Sequence, residues 1–395
     1  MTEHSPDLPL TGLRVLDFSQ FLAGPVAALR LSDLGAEVTK IERPQGGDLC
    51  RSMVVNDQRL DGDSLVFHTF NRGKKSVAAD LKQSDDLNMV RRMIATADVM
   101  IHNFRPGVMD RIGLGYGAVR ALNPRLIYGA VSGYGTAGPW RDKPGQDLLV
   151  QSLSGIAWLN GNADDGPVPT GFAMLDVATA ANLVQGILAC LVRRGVTGEG
   201  GIVEVDLLSA AMDMTFEQFT CFLNDNHRQP IRHELGNANP YQPAPYGVYQ
   251  TSDGYLALAM TPLSRLADLL DAPQITEFGQ DRSFTDLDRI KALVAPLFAN
   301  APTRHWLDLL EPAGVWSAPV LDWPAFVETE GFKALDPVQT IRTASGAEAR
   351  TTRCPIRIDG NSLGNPMGAP ALGADTASVL QAFASEDALT SGVKS

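Results

Sequence analysis

The stretch RVLDFSQFLAGPVAALRLSDLGAEVTKIERP, residues 14–44, decides the fold of this chain. Residues 14–18 form a short apolar run, which is typical of a buried strand. A helix is predicted over 26–34, because Pro25 suits the first turn of a helix and a glycine follows its last residue. A second strand is predicted over 37–42. A strand, a helix and a strand with short connections predict a βαβ unit and hence a parallel sheet.

The same alternation continues along the chain. Further strands and helices are predicted over 76–79, 87–95, 98–102, 125–131, 177–191, 202–207 and 210–223. We therefore predict an α/β protein, and ligands of open parallel sheets bind at the carboxyl ends of the strands.

Polar and glycine-rich loops follow the predicted strands. They contain Ser19-Gln20, Lys40 with Arg43, residues 103–107 and residues 132–138. Main-chain amides and cations in such loops fit a large, phosphate-bearing ligand. The basic run Arg72-Gly73-Lys74-Lys75 either binds the same ligand or is a solvated turn.

Composition and charge limit the class of protein. The 395 residues are 44% hydrophobic and 20% charged, and their number favours two domains. The net charge of −12 argues against a nucleic-acid-binding or anionic-membrane protein. Residues 1–150 carry 18 Lys and Arg against 17 Asp and Glu, whereas the rest carries 15 against 28. An anionic ligand is therefore expected on the first part.

The four cysteines are scattered without a CxxC pair, so neither a metal site nor a disulfide framework is expected. The first ten residues lack an apolar signal core, and no membrane-spanning segment is predicted. We expect a cytoplasmic location.

A second domain is predicted after residue 223. Segment 224–245 is polar and rich in proline and asparagine, as in a linker. Residues 246–260 then predict a β-hairpin that turns at Asp253-Gly254.

A dinucleotide-dependent dehydrogenase is the first alternative for a chain that begins with βαβ. The first turn, however, contains only Gly24-Pro25 instead of G-x-G-x-x-G, and Pro25 lacks the amide that a pyrophosphate would use. No P-loop, G-x-S-x-G or H-E-x-x-H motif supports an NTPase, a serine hydrolase or a zinc protease.

Asp176 directly precedes the predicted helix 177–191. A carboxylate in this position commonly caps the helix, because it accepts hydrogen bonds from the first amides. The same amides could instead keep it ionised as a nucleophile. The residues alone leave both interpretations open.

Several motifs in this order resemble the family III CoA-transferases, which include formyl-CoA transferase, carnitine CoA-transferase and α-methylacyl-CoA racemase. The matching stretches are 10–17, 35–44, 71–80, 103–107, 133–139, 197–200 and 246–254. The resemblance covers nearly the whole chain, and the combination is specific although each stretch alone is weak.

The resemblance implies a large Rossmann-like, parallel-sheet domain built from both ends of the chain. It implies a smaller α+β domain from the middle and an interlocked homodimer. The corresponding boundaries are 1–223 for the first part of the large domain, 224–325 for the linker and small domain, and 326–395 for the return to the large domain.

The resemblance also implies site residues. Asp176 is the expected catalytic nucleophile, and Gln20 is a candidate for polarising the carbonyl of the acyl group. The expected CoA contacts, with the two lysines of the basic run added, are Gln20, Arg43, Lys74, Lys75, Ala79, Asn103, Phe104 and Arg111.

The implied function is transfer of CoA from an acyl-CoA to a free carboxylic acid through an aspartyl anhydride and an aspartyl-CoA thioester. The CoA thioester is a substrate, and no tightly bound cofactor is expected. Three alternatives are an α-methylacyl-CoA racemase, intramolecular CoA transfer within a dicarboxylate, and a non-catalytic CoA-binding protein.

Two departures from the family patterns narrow the function. Gln146 stands where the racemases have histidine, and glutamine cannot exchange a proton near neutral pH. The run of glycines of oxalate-utilising formyl-CoA transferases has no counterpart in 239–260, which argues against oxalate or formate as the substrate.

Overall fold

A computed structural model describes residues 8–279 and 281–382 of the chain. Its α-helices are α1 (Ala23–Asp33), α2 (Leu65–Asn71), α3 (Ser84–Thr96), α4 (Val108–Arg111), α5 (Tyr116–Leu122), α6 (Asp147–Ser154), α7 (Met174–Thr197), α8 (Leu207–Met214), α9 (Phe216–Asn224), α10 (Leu263–Leu269), α11 (Leu287–Ala299), α12 (Thr303–Leu310), α13 (Trp323–Val327) and α14 (Glu330–Leu335). Its strands are β1 (Arg14–Asp17), β2 (Glu37–Glu42), β3 (Arg59–Leu60), β4 (Asp63–Ser64), β5 (Lys75–Ala78), β6 (Val99–His102), β7 (Ile127–Ser132), β8 (Gly201–Asp206), β9 (Gly247–Gln250), β10 (Tyr255–Leu258), β11 (Ser317–Pro319), β12 (Val338–Arg342), β13 (Glu348–Thr352), β14 (Arg357–Ile358) and β15 (Asn361–Ser362).

A parallel sheet of six strands lies at the centre of the first part of the fold, in the order β5-β2-β1-β6-β7-β8. Along the chain this is the third, second, first, fourth, fifth and sixth strand, the doubly wound order. The predicted α/β class and parallel sheet are confirmed. The strands that follow β1 are added first on one side of it, as β2 and β5, and then on the other side, from β6 onward. Parallel sheets of this kind open a ligand crevice between β1 and β6, at the carboxyl ends of the strands.

Helix α7 packs on β7, β8 and α1. Its buried face includes Leu175, Leu183 and Ile187, none of which is exposed to solvent. Helix α7 has 24 residues and contains an 18-residue window with a mean hydropathy of 1.7, so it is long and apolar enough to cross a membrane, contrary to the sequence expectation. One face of α7 packs on the sheet and on α1, and 33% of that window is buried.

The C-terminal part of the chain covers edge strand β5. The Ser76 amide donates to Asp375 Oδ2 at 2.8 Å, and the Ala78 amide donates to Thr376 Oγ1 at 3.0 Å. These bonds satisfy main-chain donors that an open sheet edge would expose.

A second compact unit contains an antiparallel sheet in the order β11-β10-β9. β9 and β10 form the predicted hairpin. Its core joins Leu256 to Phe298 and Trp306, all buried, and the two rings meet edge to face at 5.2 Å.

The boundaries of the two units differ from the predicted ones. The first unit contains the residues up to 150, 173–210 and those from 336 onward, and the second contains 151–172 and 211–335. Segment 151–172, predicted to lie in the large domain, is held in the second unit by Arg232, which donates to the carbonyl oxygens of Asn160 and Gly166 at 2.6 and 2.8 Å. Such long-range bonds are not visible in local sequence patterns.

Candidate active site

Asp176 lies in the first turn of α7 and is not its cap. The N-cap residue is Ala173, whose side chain makes no capping hydrogen bond. The capping group is the carboxylate of Asp147, whose Oδ2 accepts from the amides of Leu175 at 2.7 Å and Asp176 at 3.1 Å. The capping interpretation of Asp176 is therefore wrong, and its carboxylate is not used to cap its own helix.

The carboxylate of Asp176 is partly buried and accepts a hydrogen bond from the main chain of Ala23, the first residue of α1. Burial and the nearby charge of Asp147 raise the pKa of Asp176 to about 6, against the stabilising effect of that hydrogen bond. Above this pH the side chain is ionised, and its basicity exceeds that of an ordinary aspartate. Both properties suit a nucleophile.

Hydrogen bonds fix the loop between β1 and α1 at the crevice between β1 and β6. Asn103, directly after β6, accepts from the Gln20 amide at 2.8 Å and donates to the Gln20 carbonyl at 2.6 Å. The next residue, Phe21, has φ of +64°, a left-handed conformation that is uncommon for a bulky side chain. Its amide donates to Asp48 Oδ1 at 3.2 Å.

The start of α1 also packs closely on this loop. A Cβ on Gly24 would lie 2.2 Å from the Cβ of Ser19, so a larger residue would push the helix away. The ammonium group of Lys40 donates to the Ser19 carbonyl at 2.7 Å and pairs with Asp48 at 2.9 Å. These contacts fix the N-terminus of α1, which carries the amide that meets Asp176.

An open cleft of about 230 Å³ lies at the carboxyl edge of the sheet. Four of the predicted CoA contacts, Gln20, Arg43, Ala79 and Phe104, line it. Its floor and walls also include Lys82. The cleft therefore combines apolar surface with cations that can meet phosphate groups.

A neighbouring pocket of about 180 Å³ shares Phe104 with the cleft and extends along the ends of β6, β7 and β8. His102 lines it, and burial lowers the pKa of His102 to about 4. The imidazole is therefore neutral at physiological pH. Its ring stacks on the ring of Phe104, with 6.2 Å between the two ring centroids.

Comparison with known proteins identifies the family of this chain. The model of CoA-transferase family III matches residues 10–376. The chain belongs to CoA-transferase family III. The family predicted from the motifs is thus confirmed.

Relatives of this family III CoA-transferase carry related activities in their names. It is 40% identical over 256 residues to the succinate–glutarate CoA-transferase of Agrobacterium fabrum, a match that spans 64% of this chain and 63% of that protein, less than two thirds of its length. It is 34% identical over 331 residues to the acetyl-CoA:oxalate CoA-transferase of Acetobacter aceti, spanning 81% and 83%. A crystal structure of a CaiB/BaiF family protein from Brucella suis matches with a TM-score of 0.79 at 31% identity, covering 95% of this chain and 100% of that one.

Arg111, another CoA contact predicted for this transferase, lies close to the cleft. Arg111 is exposed at the end of α4, and the α4 residue Val108 lines the cleft. The guanidinium groups of Arg111 and Arg141 both lie close to Gly107. Arg141 and Lys82 were missed by the sequence analysis, because isolated cations in loops carry no local signal.

Lys74 does not face the cleft, so its prediction as a CoA contact is wrong. Its side chain is fully buried and pairs with Asp17 at 2.8 Å. It also donates to the Pro25 carbonyl and to Asn71 Oδ1, each at 2.9 Å. These three partners satisfy the three donors of the ammonium group.

Lys75, also predicted as a CoA contact, does not lie at the cleft either. It is the first residue of β5 and therefore lies at the amino edge of the parallel sheet, opposite the edge that carries the cleft. Its side chain is 43% exposed and pairs with Glu37 at 2.9 Å. The two lysines of the basic run are thus part of the fold and do not line the cleft.

Gln20 lines the cleft together with Arg43. The structure assigns the contact with the Asp176 carboxylate to the main chain of Ala23. The sequence analysis missed Ala23 and Asp147, since one acts through its amide and the other through a bond that spans 29 residues.

Proposed function

We propose that this enzyme transfers CoA from an acyl-CoA to a free carboxylic acid with Asp176 as the nucleophile. The observation that carries the proposal is the position of the Asp176 carboxylate. It lies partly buried against the first amide of α1, in the same unit as the cleft lined by Arg43 and Lys82.

The first step forms an anhydride. The carboxylate of Asp176 attacks the carbonyl carbon of the donor thioester, the carbon–sulfur bond breaks, and CoA leaves as a thiolate. The negative charge passes from the carboxylate to the sulfur, so no proton needs to be transferred. The cations around the cleft retain the CoA.

The second step forms an enzyme thioester. The CoA thiolate attacks the side-chain carbonyl carbon of Asp176, and the donor acid leaves as a carboxylate. The acceptor carboxylate then attacks this thioester, and the two steps run in reverse to release the new acyl-CoA. A covalent route conserves the thioester free energy, provided that water is excluded.

The N-terminus of α1 supports the charge that develops at Asp176. The Ala23 amide already binds the carboxylate and can remain bound to its oxygen when the carbonyl becomes tetrahedral. The dipoles of α1 and α7 both present their positive ends to this residue. Gln20 is the proposed additional donor to the acyl carbonyl.

Transfer is favoured over racemisation. Exchange of an α-proton between two faces needs an acid and a base. Gln146, which directly precedes Asp147, supplies neither. Retention of a nucleophilic carboxylate likewise argues against a non-catalytic CoA-binding protein.

We propose small dicarboxylates as the acids. A relative at 40% identity is named for succinate and glutarate, whereas the oxalate in the name of a relative at 34% identity is disfavoured here by the missing glycine run. The proposal is tested by incubating the purified protein with succinyl-CoA and a panel of mono- and dicarboxylic acids, with mass spectrometry of the CoA esters. We expect new dicarboxyl-CoA esters. Hydrolysis alone, or exchange of the α-hydrogen with solvent in the absence of an acceptor acid, would refute transfer.

We also propose the interlocked homodimer of the family. Large apolar side chains on both units are exposed, including Val196, Phe216 and Trp323 at 87%, 70% and 85%. Burial of such side chains in an interface is favourable. Sedimentation at micromolar concentration should show a dimer, and a monomer that retains full activity would contradict it.

Arg43 should contribute to CoA affinity. It is exposed on the cleft, and its Nε donates to the Gly47 carbonyl at 2.9 Å, which orients the guanidinium. Arg43→Ala is expected to raise the KM for the acyl-CoA by about tenfold or more, the loss of one charge-assisted phosphate contact. The matched control is Lys75→Ala, which removes an exposed cation from the opposite edge and should leave KM within about twofold, as for an exposed ion pair. Equal effects of the two variants would exclude a specific contact by Arg43.

A further inference from the structure

Asp147 connects two segments at the start of α7. Its side chain is buried, with 6% exposed, and its Oδ2 binds the amides of Leu175 and Asp176 at 2.7 and 3.1 Å. These are two of the amides in the first turn of the helix, which have no partner within it. The position of the Asp176 main chain therefore depends directly on the Asp147 carboxylate.

The segment that carries Asp147 is itself fixed by close packing of two glycines. A Cβ built on Gly133 would lie 2.5 Å from the Cα of Gly145, and one built on Gly145 would lie 2.4 Å from the Cα of Gly133. No side chain fits between the loop after β7 and the segment before α6. The backbone contact places Asp147 two residues later at the N-terminus of α7.

We propose that Asp147 is a positioning residue that fixes the first turn of α7 and, through its negative charge, favours acylation of Asp176. This inference rests on the proposed function. When the carboxylate of Asp176 attacks the thioester, the new carbon–oxygen bond neutralises the Asp176 side chain and the charge leaves on the CoA sulfur. The repulsion between the two side chains therefore exists before acylation and disappears in both covalent intermediates.

The surroundings of Asp176 single out Asp147 as the charge that acts on it. Helix α7 packs on α1, β7 and β8. The titratable residues of these elements, with those of α7 itself, are Arg30, Asp33, Tyr128, Cys190, Arg193, Arg194, Glu204 and Asp206. Arg30 pairs with Asp33 at 3.0 Å, and Asp206 caps α8 by accepting from Ser209. Among the described residues, the charge that raises the pKa of Asp176 is that of Asp147.

The test is Asp147→Asn in the full chain, measured by acyl exchange as a function of pH. The asparagine Oδ1 can still accept from the two amides, so the cap is retained while the charge is lost. We expect the acid limb of kcat, which lies near pH 6 in the wild type because of Asp176, to move to lower pH while remaining above that of an ordinary aspartate, and kcat to fall about tenfold. The KM for the acyl-CoA should stay within about twofold, since Asp147 is not among the residues that line the cleft.

Two further variants separate charge from capping. Asp147→Ala removes the cap as well as the charge, and it should reproduce the shift of the acid limb. Asp322→Asn, which neutralises the N-cap of α13, is the matched control and should leave the pH profile unchanged. The inference would be overturned if the wild type exchanged acyl groups and the acid limb of both neutral variants stayed at the wild-type pH. Absence of exchange in the wild type would instead refute the proposed function.

Discussion

Asp176→Asn is expected to reduce CoA transfer by at least about 1,000-fold, the scale seen when a covalent nucleophile is removed. The amide can still accept the hydrogen bond from Ala23, but it cannot form an anhydride with the acyl group. CoA binding should persist, because Arg43, Lys82 and Phe104 line the cleft independently of residue 176. Initial rates of acyl exchange, together with CoA affinity from calorimetry, provide the measurement. Transfer at a rate near that of the wild type would show that another group is the nucleophile.

The same variant should be more stable than the wild type at neutral pH. The folded-state pKa of Asp176, about 6, lies above the ordinary aspartate value of 3.8, so the native state binds the proton more tightly than the unfolded state does. The wild type therefore loses stability as pH rises from about 4 to 6, and the full loss persists above pH 6. Asp176→Asn removes this loss and should gain about 1–3 kcal/mol in the free energy of unfolding at pH 7.5, with little gain at pH 4. A variant that is inactive and also unstable at pH 7.5 would have lost activity for another reason.

Lys74→Ala is expected to destabilise the fold by about 3–5 kcal/mol, because it leaves a buried carboxylate without its main partner. Both side chains of the Lys74–Asp17 pair are fully buried at 2.8 Å. Burial alone would raise the pKa of Asp17, but the charges of Lys40 and Lys74 lower it to about 2. Lys40, at 3.7 Å from Asp17, cannot replace the lost contact fully.

Urea denaturation of Lys74→Ala and Lys75→Ala compares a buried with an exposed lysine in adjacent positions. Lys75→Ala should change the free energy of unfolding by less than about 0.5 kcal/mol, as expected for an exposed ion pair. If Lys74→Ala kept wild-type stability and weakened CoA binding instead, the lysine would be a ligand contact after all.

Most of the fold could be predicted from local patterns. β2 forms over Glu37–Glu42, the predicted range, because β-branched residues between a glycine and a proline favour a strand. The first helix starts earlier than predicted, at Ala23. Gly24 therefore lies within the helix, where it packs closely against Ser19. The predicted helix 210–223 is two helices, α8 and α9, which break near Thr215.

Residues of the candidate site could be predicted from the sequence where a motif and the chemistry of the side chain together indicate a contact. Arg43 and Phe104 lie on the cleft as the family motifs implied. Lys74 was misinterpreted because a basic run normally indicates a solvated surface, and its buried partner Asp17 is 57 residues away. The role of Asp147 was likewise hidden, because a cap from a distant segment has no sequence signature.

The most direct test of the central claim is to trap the covalent intermediates during turnover. The wild-type enzyme, supplied with a donor acyl-CoA and an acceptor acid, is quenched with hydroxylamine or with borohydride, and its peptides are mapped by mass spectrometry. We predict modification of Asp176 in the α7 peptide, dependent on acyl-CoA and absent in Asp176→Asn. Modification of a different carboxylate, or complete transfer with every carboxylate unmodified throughout turnover, would contradict the proposed mechanism.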